Sequence, residues 1–485
     1  MDNNKKLLFG NNFRYLIIIL SLIGLTFVFG NPLILNFTII CMNKHSINNE
    51  TTTVPLYTSF EQSWLFSVVA IGNLCGTFVV TQLTRLLGGR YTFTIYGIIS
   101  GIATILMPFA VSLGFWPLVF IRMFQGAGAA ITFAAMSVIV DAWAPLKTTG
   151  FIISVVSSYV QLGPMYTMPV ASAFCQSSLG WQGTFYLQGS LTVLSFLTFF
   201  FIYRDSPRLH TFVSEKECSI IEKDKDHTSS KHSSFVPYRK IFSDCTVYGL
   251  FFTAFSNLLG QQIFLIYGAV YLNQILKLSV EATGFAGLIA NFSCLILKLI
   301  ISPISDYATC VNQKHRAIII TGIAHFIFAS AFFVLALIDE RNQILGEIMY
   351  ILTILVSSLQ SLGFIKTAQL SCRQYAYVVM SVVACINCLI VLFLPAFVTI
   401  IAPKNTSSQW HWVFWVIGAL IISSIFVYAF TARTEPRSWA LQKQNQPVTF
   451  ASKISTNNIT VNRNGIVNES IDNEDDYINI QRLKS

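Results

Sequence analysis

Residues 14–40 read RYLIIILSLIGLTFVFGNPLILNFTII, with one charge, Arg14, at the start. That run exceeds the ~20 residues an α-helix needs to cross a ~30 Å hydrocarbon core. The pattern recurs along the chain with short polar breaks. It predicts helices over 14–40, 62–84, 91–112, 115–140, 148–173 and 183–203, then over 246–273, 283–304, 316–337, 343–366, 373–401 and 410–431. Backbone polar groups cannot be left unpaired in lipid, so the spanning segments are helices. A membrane barrel would alternate over ~10-residue strands, and such segments are absent. The sequence therefore predicts an all-α membrane protein with about twelve transmembrane helices.

Composition agrees. Of 485 residues, 54% are hydrophobic and only 11% charged, and the mean hydropathy is +0.61. A soluble domain carries about 25% charged residues to face water. The net charge of +9 would suggest nucleic acid in a soluble chain. Here the basic residues sit in loops and tails, so the charge is topological and no nucleic-acid partner is expected. The ten cysteines are scattered and predict no secreted disulfide framework. Cys385 and Cys388, a CxxC inside an apolar run, read as helix packing. The first apolar run is too long for a cleavable signal peptide and lacks a small-residue cleavage site.

Lysine and arginine set the orientation. Arg85 and Arg90 fall between helices 2 and 3, and Lys147 follows helix 4. Arg204, Arg208, Lys216 and Lys223 occupy the central loop. Lys314 and Arg316 follow helix 8, Arg373 follows helix 10, and Arg433 and Arg437 follow helix 12. Lys44, Lys277, Arg341 and Lys404 stand nearly alone on the other side. Both termini are therefore expected in the cytoplasm. Sequons at Asn49 and Asn405 fall on the predicted outer face as glycosylation sites, whereas those at Asn458 and Asn468 fall in a cytoplasmic tail. The expected division is an N-tail (1–13), a six-helix bundle (14–203), a cytoplasmic linker (204–244) with Ser229, Ser230, His232, Ser233 and Ser234 amid charge, a second bundle (245–431) and a polar, disordered C-tail (432–485).

Six helices, a long loop and six more helices resemble the major facilitator superfamily, whose halves are related by an axis along the membrane normal. Several motifs resemble its anion:cation symporter branch, which includes vesicular glutamate, sialic acid and type I sodium–phosphate transporters. They are Arg14-Tyr15, then Arg122-Met123-Phe124-Gln125-Gly126 opening helix 4, then Trp143-Ala144-Pro145, Gly180-Trp181, Phe185-Tyr186 and Gly189. Ser206-Pro207, His210 and Val213-Ser214-Glu215-Lys216-Glu217 follow, with Glu435-Pro436 and Trp439-Ala440 at the end. The resemblance covers about residues 14–440. It implies a secondary active transporter that moves a small organic anion or phosphate-like solute by alternating access. It also implies proton or sodium coupling, no other cofactor, and a functional monomer in a plasma, vesicle or lysosome membrane.

The sequence departs from that branch where the branch carries charge. The late helix 1 arginine position falls in the uncharged Asn31-Pro32-Leu33-Ile34-Leu35-Asn36. The helix 7 arginine is matched by Asn257, the helix 4 glutamate falls near Ala129, and the helix 10 aspartate appears as Leu370. The charged pair after Trp-Ala-Pro is replaced around Lys147-Thr148.

Arg122 is the foremost candidate, since an arginine in a membrane helix faces a cavity or partner. It is expected either to hold an anion with paired donors or to snorkel to the interface. Uncharged candidates for solute binding are Asn36, Tyr159, Gln161, Tyr166, Asn257, Gln261, Gln262 and Tyr267, with interhelical hydrogen bonds as the alternative. Asp306, Arg85 and Arg90 are gating candidates. The aspartate usual in the helix 2–3 loop is missing, which leaves only glycines and basic residues there. Lys298, ~12 Å along the helix from Asp306, either snorkels or lines the cavity. Lys366 and Arg373 read as topological charges, His325 as a packing histidine and Glu61 as a helix-start acid. Gly126 to Ala130 reads as close helix packing, and Gly163-Pro164 with Pro169 predicts a kink in helix 5.

No GxxxxGK[ST] motif is present, so an ATP-driven pump is not expected. Neither HExxH nor a midplane pair of acids points to an enzyme. Two rivals remain open: a sensor or scaffold that binds without transporting, and a facilitator of a neutral polar solute.

Overall fold

The computed structural model describes residues 12–45, 53–145, 148–222, 237–307, 313–338, 340–372, 375–433 and 435–441. Asn49, Lys147, Lys223, the Ser229–Ser234 stretch, Arg373, Asn458 and Asn468 lie outside the described residues. So do the side chains of Lys44, Asp306, Lys314, Arg316, Lys366 and Leu370. The described residues up to Ala440 form one compact unit.

Helix 1 is Phe13–Thr38. Ser59–Leu113 is a 55-residue helical run, about twice what one crossing needs. It is two crossings, helices 2 and 3, parted at Gly88, whose φ of +82° and ψ of 170° are not helical. Helix 4 runs Phe115–Ala129 and continues as Ile131–Trp143. Helix 5 is in two pieces, Thr149–Val156 and Tyr159–Gln176, and helix 6 is Gln182–Ile202. In the second half, helix 7 is Cys245–Val270 with a π turn, Tyr271–Ile275. Helices 8 to 12 are Val280–Tyr307, Gln313–Leu335, Gln343–Cys372, Ala376–Ile401 and Ser407–Thr431. Large apolar side chains such as Phe78, Trp116, Phe201, Ile400 and Phe430 remain exposed around the bundle, as lipid-facing surface requires.

The helix ends follow local rules. Thr58 and Glu61 make a reciprocal capping box at the start of helix 2, which gives Glu61 the helix-start role expected of it. Gly88 adopts a left-handed φ open to few other residues. A Cβ there would lie 2.6 Å from Asp205 Oδ2. Asp205 Oδ1 accepts from Arg90 N at 2.9 Å. The loop's missing aspartate is thus matched by a carboxylate from the end of helix 6. Helices 2 and 4 pack backbone to backbone: a Cβ on Gly126 would strike Val69 O, and one on Gly72 would strike Met123 O. That is the close packing expected of Gly126 to Ala130.

Helix 5 departs from expectation. Its interruption lies at Ser157 and Ser158, before Gly163-Pro164, while Pro164 and Pro169 sit inside the helical piece Tyr159–Gln176. The hydroxyls of Ser157 and Ser158 both donate to Ser154 O, at 3.1 and 2.8 Å. Such back-bonding competes with the helical ladder. Ser158 N and Gln161 N turn instead to acceptors three residues back, Val155 O and Ser158 O.

Both ends of the bundle unit lie on one face, the terminal face, because each half crosses an even number of times. Here the linker docks on the first half. Ser214 caps the helix Glu215–Glu222 by accepting from Glu217 N, and Glu217 Oε1 accepts from Arg14 N at 2.9 Å. His210 lies tilted against Phe13, with ring centroids 4.3 Å apart, and Trp143 Nε1 donates to Arg204 O. In the second half, Asp244 caps helix 7 through Thr246 N. It also accepts from Arg437 Nε and Trp439 Nε1 at 2.5 and 2.9 Å.

The opposite, distal face carries a small antiparallel ribbon, Asn43–His45 with Thr53–Pro55. It also carries a disulfide between Cys41 and Cys175, with Cα atoms 6.1 Å apart. The scattered cysteines were expected to form no secreted disulfide framework, and this single bond joins two cysteines 134 residues apart because helices 1 and 5 end side by side. Cys385 and Cys388 are free thiols.

Candidate functional site

Arg122, on the first piece of helix 4, is 1% exposed, so it does not snorkel. Its guanidinium is held from three sides. Nε donates to Leu65 O of helix 2 at 3.1 Å, and Nη1 to Pro32 O of helix 1 at 2.8 Å. Nη1 also donates to Gln125 Oε1, one turn along its own helix, at 3.1 Å. Nη2 donates to Asn36 Oδ1 at 3.2 Å. A guanidinium has five N–H donors, and four are spent on the protein. One Nη2 donor lacks an acceptor among the described residues. The expected paired fork is therefore not free: its second arm belongs to Asn36.

A network of buried amides and hydroxyls extends from this point through the first half. Gln125 Nε2 donates to Thr104 Oγ1 at 2.9 Å, and Asn31 Nδ2 to Ser100 Oγ at 2.9 Å. Gln188 Nε2 and Thr192 Oγ1 donate to Asn31 Oδ1, and Thr167 Oγ1 donates to Gln188 Oε1. All six helices of the first half contribute a member. Asn31, Gln125 and Gln188 are fully buried, and sequence reasoning did not select them. The available signal was an amide inside an apolar helix, at i and i+3 from an arginine in the case of Gln125.

The other candidates are dispersed. Tyr159 is buried edge-on to Phe29 at 5.5 Å, and half-buried Tyr166 meets Phe27 in the same way. Gln161 is 7% exposed, and its Oε1 is buried with no donor on it among the described residues. Asn257 Nδ2 donates to Ser357 O of helix 10 at 3.5 Å. Gln262 Nε2 donates to Asn387 Oδ1 of helix 11 at 2.8 Å, while the adjacent Gln261 is partly exposed. His325 is a packing histidine, with Nδ1 against Thr321 O.

The halves meet through hydroxyls on the distal side. Ser63 of helix 2 contacts the Tyr267 hydroxyl of helix 7 at 3.3 Å. It also donates to Pro395 O at 3.2 Å and contacts Thr399 Oγ1 of helix 11. Ser67 Oγ donates to Leu392 O at 2.9 Å, and Ser172 Oγ of helix 5 to Val280 O of helix 8 at 3.0 Å. Asn405, at φ +49°, donates from Nδ2 to Ser59 Oγ and accepts from Trp410 Nε1, so this sequon's side chain bridges helices 2 and 12. Deeper, Lys298 Nζ of helix 8 donates to Ser157 Oγ of helix 5 at 2.8 Å.

Of the gating candidates, Arg90 is committed to its own half. Nε donates to Phe200 O at 2.8 Å, and the guanidinium lies 4.3 Å from the Phe200 ring centroid. Arg85 is exposed. Asp306 falls in the last turn of helix 8.

A family model described as Major Facilitator Superfamily matches residues 7–395. The chain belongs to the Major Facilitator Superfamily. Among its relatives in that superfamily, human Sialin is 22% identical over 410 residues, 81% of this chain and 80% of Sialin. Bovine vesicular glutamate transporter 1 is 24% identical, over 89% of this chain and 79% of its own. Human sodium-dependent phosphate transport protein 1 is 22% identical over 72% and 74%. In fold, the chain is similar to a bacterial homolog of the human lysosomal transporter Spinster in an inward-facing, occupied conformation. That likeness has a TM-score of 0.64 at 13% identity, covering 87% of this chain and 97% of that one. A D-xylose-proton symporter is similar at TM-score 0.63 and 16% identity, over 88% and 99%. The twelve-crossing, two-half superfamily architecture read from the sequence is the one observed.

Proposed function

We propose that this chain is a secondary active transporter that moves a small organic anion or phosphate-like solute by alternating access, coupled to protons or sodium. One contrast carries the reading. Within the first half, an arginine-centred network ties six helices into a single body. Between the halves, the distal contacts are short hydroxyls on neighbouring helices. A first half tied into one body and joined to the second by exchangeable bonds fits rocking about a midplane site. Similarity to proteins named for glutamate and for sodium-dependent phosphate transport supports the anion class. The loop arginines support a cytoplasmic terminal face, in a plasma or vesicle membrane.

The experiment is uptake of labelled glutamate, phosphate and a neutral sugar into proteoliposomes, with imposed proton or sodium gradients. Saturable, gradient-driven anion uptake is expected. Saturable sugar uptake without anion uptake would replace the anion class. Binding with no uptake of any solute, in either orientation, would replace transport with sensing.

A further inference from the structure

We propose that Lys298, Ser157 and Gln161 form an anion site between the two halves, distinct from the Arg122 network. Its ligand is a small carboxylate that carries a hydroxyl or ammonium within two carbons of the carboxyl group. The site rests on the transport reading only for its place in a transport cycle.

Lys298 comes from helix 8, in the second half, and its ammonium crosses to Ser157 of helix 5. It lies on the face of helix 8 that packs on helix 5. Gly284 and Gly287 of that face meet Ser172 and Met168, and positions 284, 287, 291, 294 and 298 follow at helical spacing. The Ser157 hydroxyl donates its single proton to Ser154 O, so it receives the lysine bond as an acceptor. An ammonium has three donors. Among the described residues nothing accepts the other two, and no carboxylate pairs with Lys298. A cation within a membrane bundle faces a partner or a water-filled space. Here the lysine is turned inward, toward the opposite half.

The wall it meets is the interruption of helix 5. There both serines keep right-handed helical backbone, with three-residue hydrogen bonds replacing some of the four-residue ones. One turn beyond Ser157, on the same face, stands Gln161, 7% exposed, with Oε1 buried and lacking any donor among the described residues. Four residues advance about 6 Å along a helix. A carboxylate on the ammonium, with a hydroxyl or ammonium one or two carbons away on Gln161 Oε1, spans that distance. It would satisfy both groups at once. Arg122 has already spent four of its five donors, so Lys298 is the cation with more capacity to give.

The test is ligand-dependent thermal stabilisation of the purified full chain, with L-lactate, propionate, L-glutamate and inorganic phosphate as probes. Lactate or glutamate should stabilise the wild type, and propionate, which lacks the second donor, should do so less. Lys298→Met should weaken the carboxylate response at least about tenfold in apparent Kd, and Lys298→Arg should recover part of it. Gln161→Leu should shrink the lactate–propionate difference. Ser157→Ala, which keeps the charge, should weaken binding less than Lys298→Met. A Lys298→Met protein that melts like the wild type and responds equally would overturn the site, as would a wild type that responds to none of the carboxylates. A response confined to phosphate would overturn the carboxylate assignment. Uptake in liposomes is read separately. Uptake with unchanged affinity in Lys298→Met refutes the site and leaves transport standing, whereas Lys298-dependent binding without uptake does the reverse.

Discussion

At the scale of single residues, a charge inside a membrane bundle can be spent on structure. Arg122 draws two backbone carbonyls and two amides from three helices. Interhelical polar bonds in membranes average about 0.6 kcal/mol each, and three of the four cross helices, so Arg122→Ala should lower stability by roughly 2 kcal/mol. Arg122→Lys should restore little of it, because a point charge cannot reach four acceptors in a plane. Melting in detergent checks both, alongside uptake, which Arg122→Ala should abolish. Arg122 itself was legible in the sequence, because a lone arginine in an apolar run must find partners. Of its side-chain partners, Asn36 was singled out and Gln125 was not. Asn31, Gln125 and Gln188 look like any other polar residue in a helix until six helices bring them together.

At the scale of elements, the ends of the helices carry the family motifs, and their roles are those of caps and clamps. Asp244 caps helix 7 and holds Arg437 and Trp439. Burial pushes its pKa up, but the hydrogen bonds from Arg437, Trp439 and Thr246 outweigh it and leave the carboxyl below its ordinary value. A depressed carboxyl stabilises the fold above its unfolded pKa of about 3.9 and stops doing so as pH falls through the folded value. His210, lowered from 6.5 chiefly by burial, acts in the same direction but earlier. Its neutral folded form is penalised once the pH drops below about 6.5. Thermal stability should therefore begin to fall below about pH 6.5 and fall further below about pH 4. His210→Gln should remove the first phase and Asp244→Asn the second. Asp244→Asn should also cost about 1–3 kcal/mol at neutral pH through its weakened bonds to a cation. Sequence reasoning placed the elements well because apolar length alone decides a crossing. The helix 5 interruption escaped it: proline drew attention, while the actual break comes from two serine hydroxyls sharing one carbonyl.

At the scale of the whole molecule, the distal contacts between halves should be breakable and functional. Ser63 and Thr399 touch across the boundary, so Ser63→Cys with Thr399→Cys should cross-link under oxidation. The cross-linked protein should stop transporting and should recover with reductant. Full transport while cross-linked would mean that the distal face opens elsewhere. The Cys41–Cys175 bond lies within the first half. Two further cysteines should become alkylated only after reduction, as mass spectrometry would show. Cys41→Ser should lower the melting temperature without arresting transport, because it does not bridge the moving boundary.

By itself the sequence determined the number of crossings, their approximate bounds and the branch of the family that the motifs resemble. Each of these follows from local composition, since lipid tests every segment for length and polarity on its own. Tertiary structure alone decided which donors remain free. The twelve crossings that begin with residues 14–40 surround an arginine with four of its five donors taken by its neighbours and a lysine with one of three taken. The difference depends on which helices stand beside each of them.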